Sequence, residues 1–175
     1  MIDLKTGRFV INEEEGWFIE PGMKIQDLIN SNLYLNGPLD DGFKEHPEWG
    51  AYFSHIDING YDMSVQIIVD NFHYVNKIIM YLHDAHNPTL SKEEAYKFKS
   101  LHDKFLSEQI GDQLKSKGEV WLDHDWGSIS SEISLMHFTT VEIVIRYNIN
   151  PFLEAEGIIK PVTAEEARQN FLNSL

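Results

Sequence analysis

The sequence predicts an α+β fold: one domain, with a largely antiparallel sheet built from hairpins and one long amphipathic helix packed on a face. Three stretches carry that expectation. From Val141 to Tyr147, the residues Val141, Ile143, Ile145 and Tyr147 alternate with Glu142, Val144 and Arg146, the period of 2 of a strand with one face in a core. Asn59-Gly60 stands between two apolar runs, the strongest short hairpin signal. Ser91-Lys92-Glu93-Glu94 is a capping box, and the helix it opens carries Ala95, Phe98, Leu101, Phe105 and Gln109 or Ile110 along one stripe before Gly111.

A chain of 175 residues suits one domain spanning 1–175. Hydrophobic residues make up 42% and aromatics 12%, enough apolar surface to offset the entropy of ordering the chain, so disorder is not expected.

In chain order, Ile2 to Ile11 reads as a strand interrupted by a tight turn at Thr6-Gly7. Glu13, Glu14 and Glu15 form a solvated turn. Met23, Ile25, Leu28 and Ile29 recur at helical spacing, giving a short helix over Lys24 to Ser31 that ends at Asn32. Leu35 to Gly50, rich in Gly and Pro, reads as a long irregular loop. Strands follow over Tyr52–Ile58, Asp62–Val69 and Tyr74–Leu82. Met63, Val65, Ile67 and Val69 share one face of the second, while the third carries apolar residues on both faces and reads as central. After the long helix, 112–118 reads as a linker. Glu119 to Tyr147 then reads as two strands joined by a polar turn, with Ser128, Ser130 and Ser131 in that turn. Residues 148–175 form a C-terminal extension, with a last helix opened by Thr163, that docks on the domain or reaches toward a partner.

Composition then narrows the function classes. Asp and Glu number 28 against 14 Lys and Arg, a formal charge of -14, which repels phosphate backbones and argues against a nucleic-acid ligand. A partner with a basic face fits by charge. Solubility alone is the stronger explanation of an acidic surface. The absence of Cys excludes disulfides, thiolate nucleophiles and cysteine-bound zinc. The N-terminal residues lack the apolar run of a signal peptide, and no window is long and apolar enough for a membrane span, so a cytoplasmic location is expected.

Chemistry-bearing clusters are few. His83-Asp84-Ala85-His86 has an HxxH spacing, and His102 and His124 are candidates to complete a metal cage with it. Asp123-His124-Asp125 lies close to Ser128, Ser130 and Ser131, but neither a GxSxG elbow nor an SxxK motif is present. Phosphate loops of the GxxxxGKS and GxGxxG kinds are absent, and no cofactor is expected. The 35–50 loop mixes Asp40, Asp41, Glu45, His46 and Glu48 with Phe43 and Trp49, a composition suited to a binding surface and equally to a loop pinned to the body by its two aromatic rings.

DWGSISSEI followed by VEIVIRY, with LHDKFLSEQIG before it, resembles a group of small uncharacterised bacterial proteins in which a WG-I-S turn precedes a strand ending in an aromatic residue. The resemblance covers 91–147 and carries no catalytic residue. It implies a shared α+β fold and, for small acidic proteins of this kind, service as immunity partners encoded beside secreted toxins. The leading expectation is therefore a non-enzymatic protein that masks a basic partner. Asp40, Asp41, Glu45, Glu48, Asp123 and Asp125 would supply charge, with Trp49, Trp121 and Trp126 as anchors or, alternatively, core residues. Trp126 reads more as core than Trp49. The competing expectations are a metal-assisted hydrolase using His83, His86, His102 and His124, and a homo-oligomeric module paired through a sheet edge.

Overall fold

The computed structural model describes residues 1–85, 90–110, 120–134 and 140–160. Its centre is a six-stranded sheet in the order β3-β4-β5-β8-β7-β6, every neighbouring pair antiparallel. The strands are β3 (Ala51–Ile58), β4 (Tyr61–Val69), β5 (Val75–Leu82), β6 (Val120–His124), β7 (Gly127–Ser134) and β8 (Thr140–Tyr147). The fold class is α+β, as expected, and β5 is central.

Local sequence explains the hairpins. Asn59 and Gly60 both adopt positive φ, the requirement of a two-residue turn whose twist matches the flanking strands. At the β6–β7 turn, Gly127 takes φ 147, and a Cβ there would lie 1.8 Å from the Arg146 carbonyl oxygen. Only glycine fits so close to β8. That turn also corrects the two-strand reading of 119–147. Ser128, Ser130 and Ser131 lie inside β7, where pairing with β6 on one side and β8 on the other supplies the backbone bonds that serines otherwise seek from turns.

Helix α4 (Lys92–Ile110) has the expected start: Ser91 N–H donates to Glu94 Oε2 at 2.8 Å, and Glu94 N–H donates to Ser91 Oγ at 3.3 Å. Its buried stripe differs from the apolar one. Ala95, Lys99, His102, Phe105, Leu106 and Ile110 are buried, while Phe98 and Leu101 stay half-exposed. Two polar residues hold places in the interior because each finds a partner. Lys99 Nζ pairs with both Asp103 carboxylate oxygens at 2.7 and 2.8 Å, and His102 Nε2 accepts the Leu82 N–H at 2.9 Å.

A small N-terminal layer shares the same core. It comprises β1 (Phe9–Asn12), β2 (Trp17–Ile19), α1 (Ile25–Ile29) and α2 (Asn32–Asn36), and it contributes Phe9, Ile19, Leu28 and Leu33 to the cluster that holds Phe53, Val65, Met80, Phe105 and Ile145. The expected first strand is broken: Ile2 bridges to Phe9 across the Thr6-Gly7 turn, and the strand proper begins at Phe9. The Lys24–Ser31 helix is shorter than expected, and Asn32 starts a new helix instead of ending the old one. Two side chains rivet this layer to the sheet. Trp126 Nε1 donates to the Leu4 carbonyl at 3.0 Å, and the Tyr147 hydroxyl donates to the Gly7 carbonyl at 3.0 Å. Burial raises the Tyr147 pKa, which keeps the hydroxyl a donor.

The 35–50 stretch is not an irregular loop. It holds the end of α2, α3 (Asp41–Glu45) and a 3-10 turn over Pro47–Trp49. In the C-terminal extension, α5 (Asn150–Ala155) docks: Leu153 is buried, Phe152 stacks on Tyr74, and Lys24 Nζ meets Glu156 Oε1 at 2.6 Å. The expected helix after Thr163, the 112–118 linker and His86 lie outside the described residues. No helix among the described residues is long and apolar enough to cross a membrane.

Candidate functional site

The segment from Asp40 to Trp49 is tied to the first strand of the sheet and turned outward at its tip. Asp40 N–H donates to the Tyr52 carbonyl at 2.9 Å, and Leu39 bridges to Phe53. The Asp40 carboxylate caps α3 by accepting the Gly42 N–H at 2.9 Å. The Tyr34 hydroxyl donates to the Phe43 carbonyl at 3.0 Å, and the Phe43 ring leans on Tyr52 at 6.1 Å. These contacts fix Phe43 as the base of an aromatic stack. Trp49 meets Phe43 edge to face at 6.5 Å and lies flat on His46 at 4.1 Å, yet it remains 57% exposed.

An indole held on two sides and open on the third loses little freedom on binding, which is the condition for an anchor residue. Asp40, Asp41, Glu45 and Glu48 are exposed in the same segment. Lys44 pairs with Asp41 at 3.0 Å, and His46 lies 3.2 Å from Glu48. Four carboxylates against a single lysine leave the tip negative.

The other expected binding residues lie elsewhere. Trp121 and Asp123 sit on β6, at register positions opposite Ser130 and Ser128, and Asp125 is exposed in the β6–β7 turn. Five inter-strand steps separate β3 from β6, about 24 Å at the usual spacing. The two acidic groups therefore flank opposite edges of the sheet, not one continuous patch. Trp126, 9% exposed, is core, stacked on His124 and edge-on to Tyr147.

Matched against protein-family models, curated proteins and solved structures, the chain has no counterpart among them.

Among the described residues, His83, His102 and His124 do not assemble as a cage. His124 lies three strands from His83 and at the opposite end of the sheet, a separation of roughly 25 Å from strand geometry. His102 is fully buried, and desolvation lowers its pKa to about 4, so its ring is neutral with Nε2 committed to Leu82. Among the described residues no three His, Asp or Glu side chains converge as metal ligands would.

One histidine that sequence reading passed over does stand out. His55 adopts φ 55 at an irregularity in the β3–β4 ladder between Phe53 and Ile56. Its ring lies 3.6 Å from that of His83, and its Nδ1 is 3.1 Å from Asp62 Oδ2, while His83 Nδ1 is 3.0 Å from Ser64 Oγ. The residue types resemble a nucleophile relay. However, Ser64 is 0% exposed, so its hydroxyl has no path to a substrate.

Proposed function

We propose that this chain is a non-enzymatic binding protein that recognises a basic protein surface, in the manner of an immunity-type inhibitor. The observation that carries the reading is Trp49, a large apolar side chain 57% exposed and held between Phe43 and His46, in a segment whose Asp40, Asp41, Glu45 and Glu48 are all exposed. The indole supplies the buried centre of an interface and the acids its charged rim. A net charge of -14 steers a basic partner toward the chain before contact.

The test is capture from the native host with the immobilised full chain, run beside a Trp49→Ala variant at low and high salt. A protein with a basic surface, retained by the natural chain at low salt and lost with the variant, is the expected result. Equal capture by both forms, or no basic protein captured, overturns the reading.

A further inference from the structure

A groove of about 270 Å³ opens where the β3–β4 turn, the end of β5 and α4 meet. Its walls are Tyr61, Leu82, Phe98 and Leu101, each half-buried, and exposed carboxylates of Asp62 and Asp84 stand at its rim beside His83. Phe98 and Leu101 are the apolar residues displaced from the buried stripe of α4, so the fold leaves apolar surface here that its core does not use.

The groove is built before any ligand arrives. The Tyr61 hydroxyl donates to Glu108 Oε2 at 2.8 Å, Asn59 Nδ2 donates to Gln109 Oε1 at 2.8 Å, and the Tyr61 ring meets Phe105 edge-on at 5.2 Å. These contacts clamp the turn to the helix. On the opposite side, the left-handed backbone at His55, rare for a residue with a side chain, places the imidazole where it holds one Asp62 oxygen. Among the described residues Asp84 makes no hydrogen bond or ion pair, and none of those lining the groove is Lys or Arg. Two carboxylates over an apolar floor call for a cation on an apolar stem. The volume lies below the roughly 300–1,000 Å³ of pockets that take drug-sized ligands and suits one side chain. A planar guanidinium can stack on the Tyr61 or Phe98 ring while its fork reaches a carboxylate, which a compact ammonium cannot do as well.

We propose that this groove receives an arginine side chain of a basic protein partner, the guanidinium between Asp62 and Asp84 and the methylenes on Tyr61, Phe98 and Leu101. The inference rests on the proposed basic partner but not on Trp49. The test is a titration of the full chain, followed by amide chemical shifts, with a capped Ala-Arg-Ala peptide and its uncharged citrulline counterpart. The arginine peptide is expected to move Tyr61, Leu82, Asp84 and Leu101 together and to bind about fivefold more tightly than the citrulline peptide, the size an exposed charge contact gives. Asp84→Asn and Asp62→Asn should each weaken it severalfold, and Trp49→Ala should leave it unchanged. Equal binding of the two peptides, shifts confined to other surfaces, or indifference to both asparagine variants overturns the proposal. Loss of partner capture in Trp49→Ala with the peptide titration intact separates this site from the patch around Trp49.

Discussion

Lowering the pH from 7 toward 4 should destabilise the fold through His102. Its Nε2 accepts the Leu82 N–H at 2.9 Å and the residue is 0% exposed, so a proton at Nε2 would break that bond and bury a charge. Burial depresses the folded pKa to about 4, against an ordinary value of 6.5. The unfolded chain therefore takes up the proton first, and stability falls as the pH drops from 6.5 through 4. Proton linkage between these two values gives a loss of about 2 kcal/mol at pH 5 and roughly 3 kcal/mol at pH 4. Against a typical total of about 5–15 kcal/mol this is a large share. The assay is urea unfolding at pH 7, 6 and 5 for the natural chain and for His102→Gln, whose amide oxygen can still accept the Leu82 N–H but does not titrate. The other ionisable groups are common to both proteins and cancel. A steeper loss in the natural chain by about 2 kcal/mol at pH 5 is expected; parallel pH profiles would refute the reasoning.

Three further outcomes follow from packing. Trp126→Ala should cost about 3–5 kcal/mol in urea unfolding, since it empties a core position and releases the Leu4 carbonyl. Tyr147→Phe keeps the ring and removes only the hydroxyl donor shared by the Gly7 and Ile19 carbonyls, so its cost should be smaller, about 1–2 kcal/mol by the same assay. Gly127→Ala puts a methyl group 1.8 Å from the Arg146 carbonyl oxygen, and thermal melting should show either failure to fold or a loss larger than that of Tyr147→Phe.

The parts of the fold that could be read from sequence were those fixed by neighbours in the chain. Asn59-Gly60 and the Ser91/Glu94 box set a turn and a helix start within four residues, and both appear where the residue types place them. The apolar face of β8 was equally legible, because Val141, Ile143, Ile145 and Tyr147 all reach the interior. Strand β7 was hidden by its serines: Ser131 stands opposite Ile143 on the apolar face, so alternation fails just where the strand is buried. The buried stripe of α4 was misread because Lys99 and His102 are admitted by partners, Asp103 and the Leu82 amide, and the Leu82 amide is remote in sequence from His102. In the candidate site, composition pointed to Asp40 to Trp49, a segment whose acids and Trp49 are exposed. It also grouped that segment with Trp121 to Asp125, which strand order places at the other edge. His55 gave no signal, since its role depends on a single dihedral angle and on a register shift.

The most direct test of the account is the affinity of the captured basic partner for the natural chain and for Trp49→Ala, measured by titration calorimetry. A loss of about 2 kcal/mol or more, some thirtyfold in affinity, is expected from an indole at the centre of the interface. Affinity that stays the same without that indole would contradict it.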